Sequence, residues 1–189
     1  MTPLGAVVSY ALPSVRDEPR RLPAAAYWAL QATGIVLIVA CFAVFGFGLQ
    51  AVAESVFCLA LVVVTATDLE YRLIPNRVVL PAALFVLAAM TAADPSIKWA
   101  VAALGAALVL FLLVLAYPAG MGMGDVKLAL LMGAALGRSV VLALVVASIA
   151  SLVPAIAILV RHGRAGRTMG FPFGPLLALG SLVALFSSG

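Results

Sequence analysis

The chain is 189 residues long, 66% hydrophobic and only 10% charged, with a mean hydropathy of +1.25 and a formal charge of +4. That apolar share lies far above a soluble domain's, which excludes an ordinary soluble globular or disordered protein. No strand alternation of the barrel kind runs through it, so the composition predicts an all-α polytopic transmembrane helix bundle.

A span needs about 20 apolar residues to cross the bilayer as helix. In chain order the candidates are Ala26–Gly48, Leu49–Thr67, Val78–Ala93, Ile97–Tyr117, Asp125–Leu136, Ser139–Val160 and Phe173–Ser187, about six or seven spans in all. The fifth is short, rising about 18 Å as helix against a hydrocarbon core of about 30 Å. It is expected to bend into the next helix near Gly133 and Gly137.

Before the first span, residues 1–23 read as a loose cytoplasmic lead-in, and residues 24–189 as one transmembrane domain. The charged run Arg16-Asp17-Glu18-Pro19-Arg20-Arg21 stands where a signal peptide would need small residues for cleavage. With the N-terminus inside, cytoplasmic stretches hold Arg16, Arg20, Arg21, Arg72, Arg77, Lys127, Arg161, Arg164 and Arg167, and the outer turns only Lys98 and Arg138. This positive-inside bias explains the pI near 9.5 without nucleic acid.

Cys41 and Cys58 lie inside apolar runs and form no Cys-x-x-Cys pair, so both read as small buried hydrophobes rather than zinc ligands or a structural disulfide. His162 is the only histidine, set in a basic loop with no partner for a nucleophilic pair. No metal or other cofactor is expected.

Asp17 and Glu18 read as solvated, Asp94-Pro95 as turn chemistry, and Glu70 and Arg72 as surface charges of an inner loop. Glu54, near Gln50, sits about a turn inside the outer end of its span and is read as snorkelling or bonding to another helix. Two acids remain. Asp125 follows Gly120, Gly122 and Gly124 and precedes an apolar helix, so it reads equally as a plain N-cap. Asp68 lies toward the C-terminal end of its helix, where the macrodipole disfavours a carboxylate, which makes it a functional candidate.

Three irregular turns are expected at the same face. Gly122 and Gly124 leave an uncrowded backbone, Ile74-Pro75-Asn76 re-enters the membrane sharply, and Gly170-Phe171-Pro172-Phe173-Gly174-Pro175 cannot be regular helix throughout. Broken backbone at that depth belongs where it lines a cavity or is buried in protein.

In this order DLEYRLIPN, GMGMGDVKLALLMGAALG and FPFGPLLALG resemble the type IV prepilin peptidases, membrane aspartic proteases of the GxGD type, from about Leu49 to the C-terminus. The resemblance implies that Asp68 and Asp125 are the catalytic pair. It implies that Gly122, Gly124, Lys127, Ile74, Pro75, Asn76, Pro172, Gly174 and Pro175 shape the site or meet substrate. It further implies cleavage of the leader of type IV prepilins, prepseudopilins or Flp-type pilin precursors at the cytoplasmic face of the bacterial inner membrane. Pilus or type II secretion assembly proteins would be partners beside the lipid bilayer.

Longer members of that family carry a methyltransferase region with paired Cys-x-x-Cys motifs, which this sequence lacks, so a short peptidase-only form is expected. From the helix-end argument Asp68 is expected to act as acid and Asp125 as base. Two other classes fit the same aspartates: a proton-coupled transporter using them as relays, and an inactive scaffold of pilus assembly.

Overall fold

The computed structural model describes residues 3–4, 7–8, 22–116, 121–162 and 172–188. Among them, besides helical residues at 3–4 and 7–8, there are seven long α-helices and no strand: α1 (Ala24–Phe45), α2 (Leu49–Tyr71), α3 (Asn76–Ala93), α4 (Lys98–Ala116), α5 (Met123–Leu136), α6 (Val140–His162) and α7 (Gly174–Ser188). Each coincides with one of the seven apolar runs, so the all-helical bundle follows directly from hydrophobic run length. By length and composition, α1, α2, α3, α4 and the stretch from α5 through α6 can each cross a membrane, and α7 is a shorter apolar helix.

The helices divide into a centre and a shell. In α2, 67% of the apolar window is buried, against 11% in α1 and 17% in α4. In α5, the run from Leu128 to Leu136 is buried except for Leu130. Phe57, Leu61 and Val64 of α2 share one core with Leu128, Leu131 and Met132 of α5 and with Leu177 and Leu185 of α7. Outward, α1, α4 and α6 present Ile35, Val36, Leu104, Leu108, Val141 and Ile149, an apolar surface suited to lipid. Water does not drive helices together inside a bilayer, so close backbone approach must do it, through small residues. A Cβ on Gly133 would strike the Ala102 carbonyl of α4, and one on Gly180 would strike the Ala143 carbonyl of α6.

Three sequence expectations change. α5 does not bend into α6 at Gly133, which is instead the contact point with α4. The break falls at Gly137, whose φ of +54° ends α5 and opens a 3-10 turn, Gly137–Ser139. Beyond it α6 packs chiefly on α7, while α5 packs on α4 and α3.

Leu4 and Val8 of the lead-in are buried against Val62, Val63 and Ala66 of α2, so that part of the segment is docked rather than loose. Glu70 is no surface charge either. It is 5% exposed, and its Oε1 accepts hydrogen bonds from the Leu22 amide (3.0 Å) and the Tyr27 hydroxyl. The reason is that α2 runs on through Tyr71, three residues beyond Asp68, so Glu70 lies on helix facing α1 and not in a loop. The Cys41 and Cys58 thiols are buried as expected but adjacent, with Sγ···Sγ 3.7 Å between α1 and α2. Asp17, Glu18, Gly120, Gly170, Phe171, Arg164 and Arg167 lie outside the described residues.

Candidate active site

Asp68 and Asp125 sit on the two central helices, 6% and 7% exposed. Asp68 occupies the last turn of α2. That helix stops at Arg72, which takes the left-handed conformation (φ 53°) and returns its amide to the Asp68 carbonyl (3.0 Å). A left-handed residue other than glycine is uncommon and typical of a helix C-terminus. The chain then turns through Ile74 and Pro75, and Pro75 caps the start of α3 in extended geometry. Proline at that place gives up an amide the helix could not have used.

Asp125 is the third residue of α5. Gly122 occupies the N-cap, and its amide donates to Asp125 Oδ2 (3.1 Å), while the Asp125 amide returns to the Gly122 carbonyl (3.1 Å). The capping role expected of Asp125 is therefore real, but exercised from three residues inside the helix. Its carboxyl satisfies one of the free donors at a helix start.

Asp68 has a counterpart bond that no local reading supplies. The amide of Gly174, first residue of α7, donates to Asp68 Oδ2 at 2.8 Å across 106 residues of sequence. A Cβ at position 174 would come within 2.9 Å of that same oxygen, so only glycine lets the α7 start approach so closely. Asp68 thus lies at the C-terminal end of its own helix and at the N-terminal end of another. The two dipoles oppose, and the argument that made Asp68 the acid and Asp125 the base loses its basis.

Each carboxylate is held through Oδ2 by one amide from a helix start, and no hydrogen bond from the described residues reaches either Oδ1. The two groups lie within electrostatic range of each other, and Arg72 acts on Asp68 from the same turn.

The expected shaping residues divide by what they touch. Gly124 backs onto Ile74, with an added Cβ 2.9 Å from the Ile74 Cβ, so the turn before α5 lies directly against the turn after α2. Lys127 Nζ donates to Asn76 Oδ1 (2.8 Å), a second tie between α5 and α3. Gly122 and Gly174 supply the two carboxyl-holding amides. Phe173 accepts the first amides of α7, from Leu176 and Leu177 (both 3.1 Å), with Pro172 ahead of it and Pro175 in the first helical turn. The residues singled out in the sequence are thus drawn together from three turns. Reading by local pattern missed the Gly174–Asp68 bond, since nothing near either residue announces the other.

The Type IV leader peptidase family profile matches residues 55–158, a stretch that holds Asp68, Ile74, Gly122, Gly124 and Asp125. A Bacillus subtilis (strain 168) protein described as "Prepilin leader peptidase/N-methyltransferase" is 37% identical over 145 residues, 74% of this chain and 57% of its own length. The chain therefore spans a little over half the length of that relative. No solved structure matches it significantly. The profile covers more than half of the chain, including all of α5 and most of α2, and on that ground the protein belongs to the type IV leader peptidase family.

Proposed function

We propose that this protein is an aspartic endopeptidase that removes the leader of type IV prepilins or Flp-type pilin precursors at the cytoplasmic face of a bacterial membrane, with Asp68 and Asp125 as the catalytic pair. One observation carries the reading. Two buried carboxylates from turns far apart in sequence share one end of the bundle, each fixed through one oxygen, with no hydrogen bond from the described residues to the other. Such a pair binds one water between its free oxygens. One carboxylate takes a proton from that water as its oxygen attacks the scissile carbonyl, and the protonated partner supplies a proton toward the carbonyl oxygen. The first carboxyl then gives the proton it took from water to the amine nitrogen as the C–N bond breaks. Its partner recovers a proton from the gem-diol hydroxyl as the new carboxyl group forms. The amides of Gly122 and Gly174 hold both groups in register for this exchange, so little reorganisation is needed at the moment of reaction.

The peptidase half of the relative's description is carried over here and the methyl-transfer half is not. Both cysteines of this chain stand inside the bundle against each other rather than in Cys-x-x-Cys motifs. Asn76, exposed at the end of the turn after α2, and the exposed Gly122 and Met123 at the start of α5 leave a face on which an extended leader can lie, with Lys127 at its edge.

The test is cleavage of a purified prepilin by the protein reconstituted in liposomes. Asp68→Asn and Asp125→Asn are each expected to abolish leader loss while the protein stays membrane-inserted and helical. Continued cleavage by either variant would contradict the dyad.

A further inference from the structure

At the opposite end of α2, Glu54 is 2% exposed and its Oε2 has no hydrogen-bond partner among the described residues. Fourteen residues separate it from Asp68, about 21 Å along the helix, so it belongs to neither the dyad nor its turns. A buried carboxyl oxygen left without a donor costs on the order of 1–3 kcal/mol, and a donor arriving from outside would remove that cost. Glu54 lines a cavity of about 230 Å³ together with Gln50, Trp99, Lys98, Arg138 and Ser139. Lys98 is held by Asp94 and lies over the Trp99 ring, 4.7 Å from its centroid. Arg138, in the 3-10 turn after α5, is exposed and has no ion pair among the described residues.

A second cavity, about 570 Å³, adjoins the first through Lys98, Gly137 and Arg138. It is a groove between α4 and α6, walled by Val101, Ala102, Gly105, Val109, Val141 and Leu144. Gly105 has nothing within 4 Å of where a Cβ would stand, so its side of the groove is open. The order of chemistry along the two cavities is therefore an apolar channel on the lipid-facing surface, then Arg138 and the Asp94-paired Lys98, then a carboxyl with an unpartnered oxygen in a half-open pocket of mixed polar and apolar lining.

We infer that these joined cavities bind one aminophospholipid, with an acyl chain in the α4–α6 groove, the phosphate at Arg138 and Lys98, and the primary ammonium donating to Glu54. The charge sequence selects this occupant. An apolar helix seated in the groove would fill it but bring no cation to Glu54. A choline headgroup, with no hydrogen-bond donor, would satisfy the arginine but leave the carboxyl bare, and a glycerol headgroup would offer it only a neutral hydroxyl in place of an ammonium. Bound there, the lipid braces α4 against the turn that ends α5, at the end of the bundle remote from the peptidase chemistry.

Trp99 lines the headgroup cavity and is one of two tryptophans, so Trp28→Phe leaves it as the sole indole reporter. That variant is reconstituted in phosphatidylcholine bilayers carrying a minor fraction of brominated phosphatidylethanolamine, phosphatidylcholine or phosphatidylglycerol, and Trp99 quenching is followed. Brominated phosphatidylethanolamine is expected to quench at about tenfold lower mole fraction than the other two, the factor one ammonium–carboxyl bond supplies. Adding Glu54→Gln brings it level with phosphatidylcholine. Arg138→Gln weakens all three lipids, and Gly105→Leu does so by filling the groove. Equal quenching by the three lipids overturns the proposal, as does a preference that survives Glu54→Gln. Cross-linking of a second copy across α4 and α6 without lipid preference overturns it too. Arg138 is exposed, so its variant keeps the test decisive should Glu54→Gln fail to fold.

Discussion

Beside Asp68 there is room for the Gly174 amide and for no side chain at that position, the extra Cβ falling 2.9 Å from the carboxyl oxygen it would share space with. Gly174→Ala is therefore expected to displace the carboxyl while leaving the helices in place. A displacement near 1 Å lowers catalysis on the order of 100-fold, and the check is prepilin cleavage set beside an unchanged helical circular dichroism spectrum. Gly124→Ala meets the Ile74 Cβ at 2.9 Å. Because the conflict is with Cβ itself, Ile74→Ala keeps it, and the double variant is expected to cleave no better than Gly124→Ala alone. Recovery in the double variant would show that the contact is made by the outer Ile74 atoms instead. Lys127 differs from these glycines. Its bond to Asn76 is exposed, and an exposed hydrogen bond contributes about 0.5–1.5 kcal/mol. Lys127→Ala should lower cleavage by less than about tenfold.

Among the elements, α2 and α5 carry the two aspartates and are also the most enclosed by other helices. The arrangement has a physical logic. A carboxyl needs fixed donors and exclusion from lipid, which a central helix provides and a shell helix does not. The α1–α2 pair is tied at the same end by Glu70, which gathers the Leu22 amide and the Tyr27 hydroxyl. Tyr27→Phe removes one donor from a buried acid whose other oxygen has no partner among the described residues. It is expected to cost about 1–3 kcal/mol, read as a lowered unfolding midpoint in detergent. The α4–α5 contact rests on Gly133 against the Ala102 backbone. Gly133→Ala should likewise destabilise the bundle, by about 1–3 kcal/mol as for other overpacked sites, without touching the dyad directly.

For the whole molecule, we propose from the distribution of basic residues that Asp68 and Asp125 face the cytoplasm and the Glu54 cavity the outer side. Cys41 and Cys58 are both wholly buried, so they leave the native background silent to an impermeant thiol reagent. Ile97→Cys, at a position 80% exposed beyond α3, should label from outside intact cells. Arg161→Cys, near the end of α6, should label only after permeabilisation. The reverse pattern would invert the topology and carry both aspartates to the outer face.

The class, the seven long helices and their approximate bounds were legible in the sequence, because a bilayer demands long apolar runs and the runs mark themselves; the helical residues in the lead-in were not. The two aspartates and the Ile-Pro-Asn, Gly-Met-Gly and Phe-Pro-Phe-Gly turns were legible for a related reason: charge and broken backbone are conspicuous in such runs. What burial would do to Glu70 was not, since its place on the helix beyond Asp68 depended on where α2 ended and on what α1 brought to meet it. The electrostatic character of Asp68 was not legible either. Its own helix presents it with the negative end of a dipole, and only the tertiary structure adds the start of α7, through the Gly174 amide. Local sequence determines the field a residue receives from its own element. The field from other elements arises only when chain segments 106 residues apart are packed together.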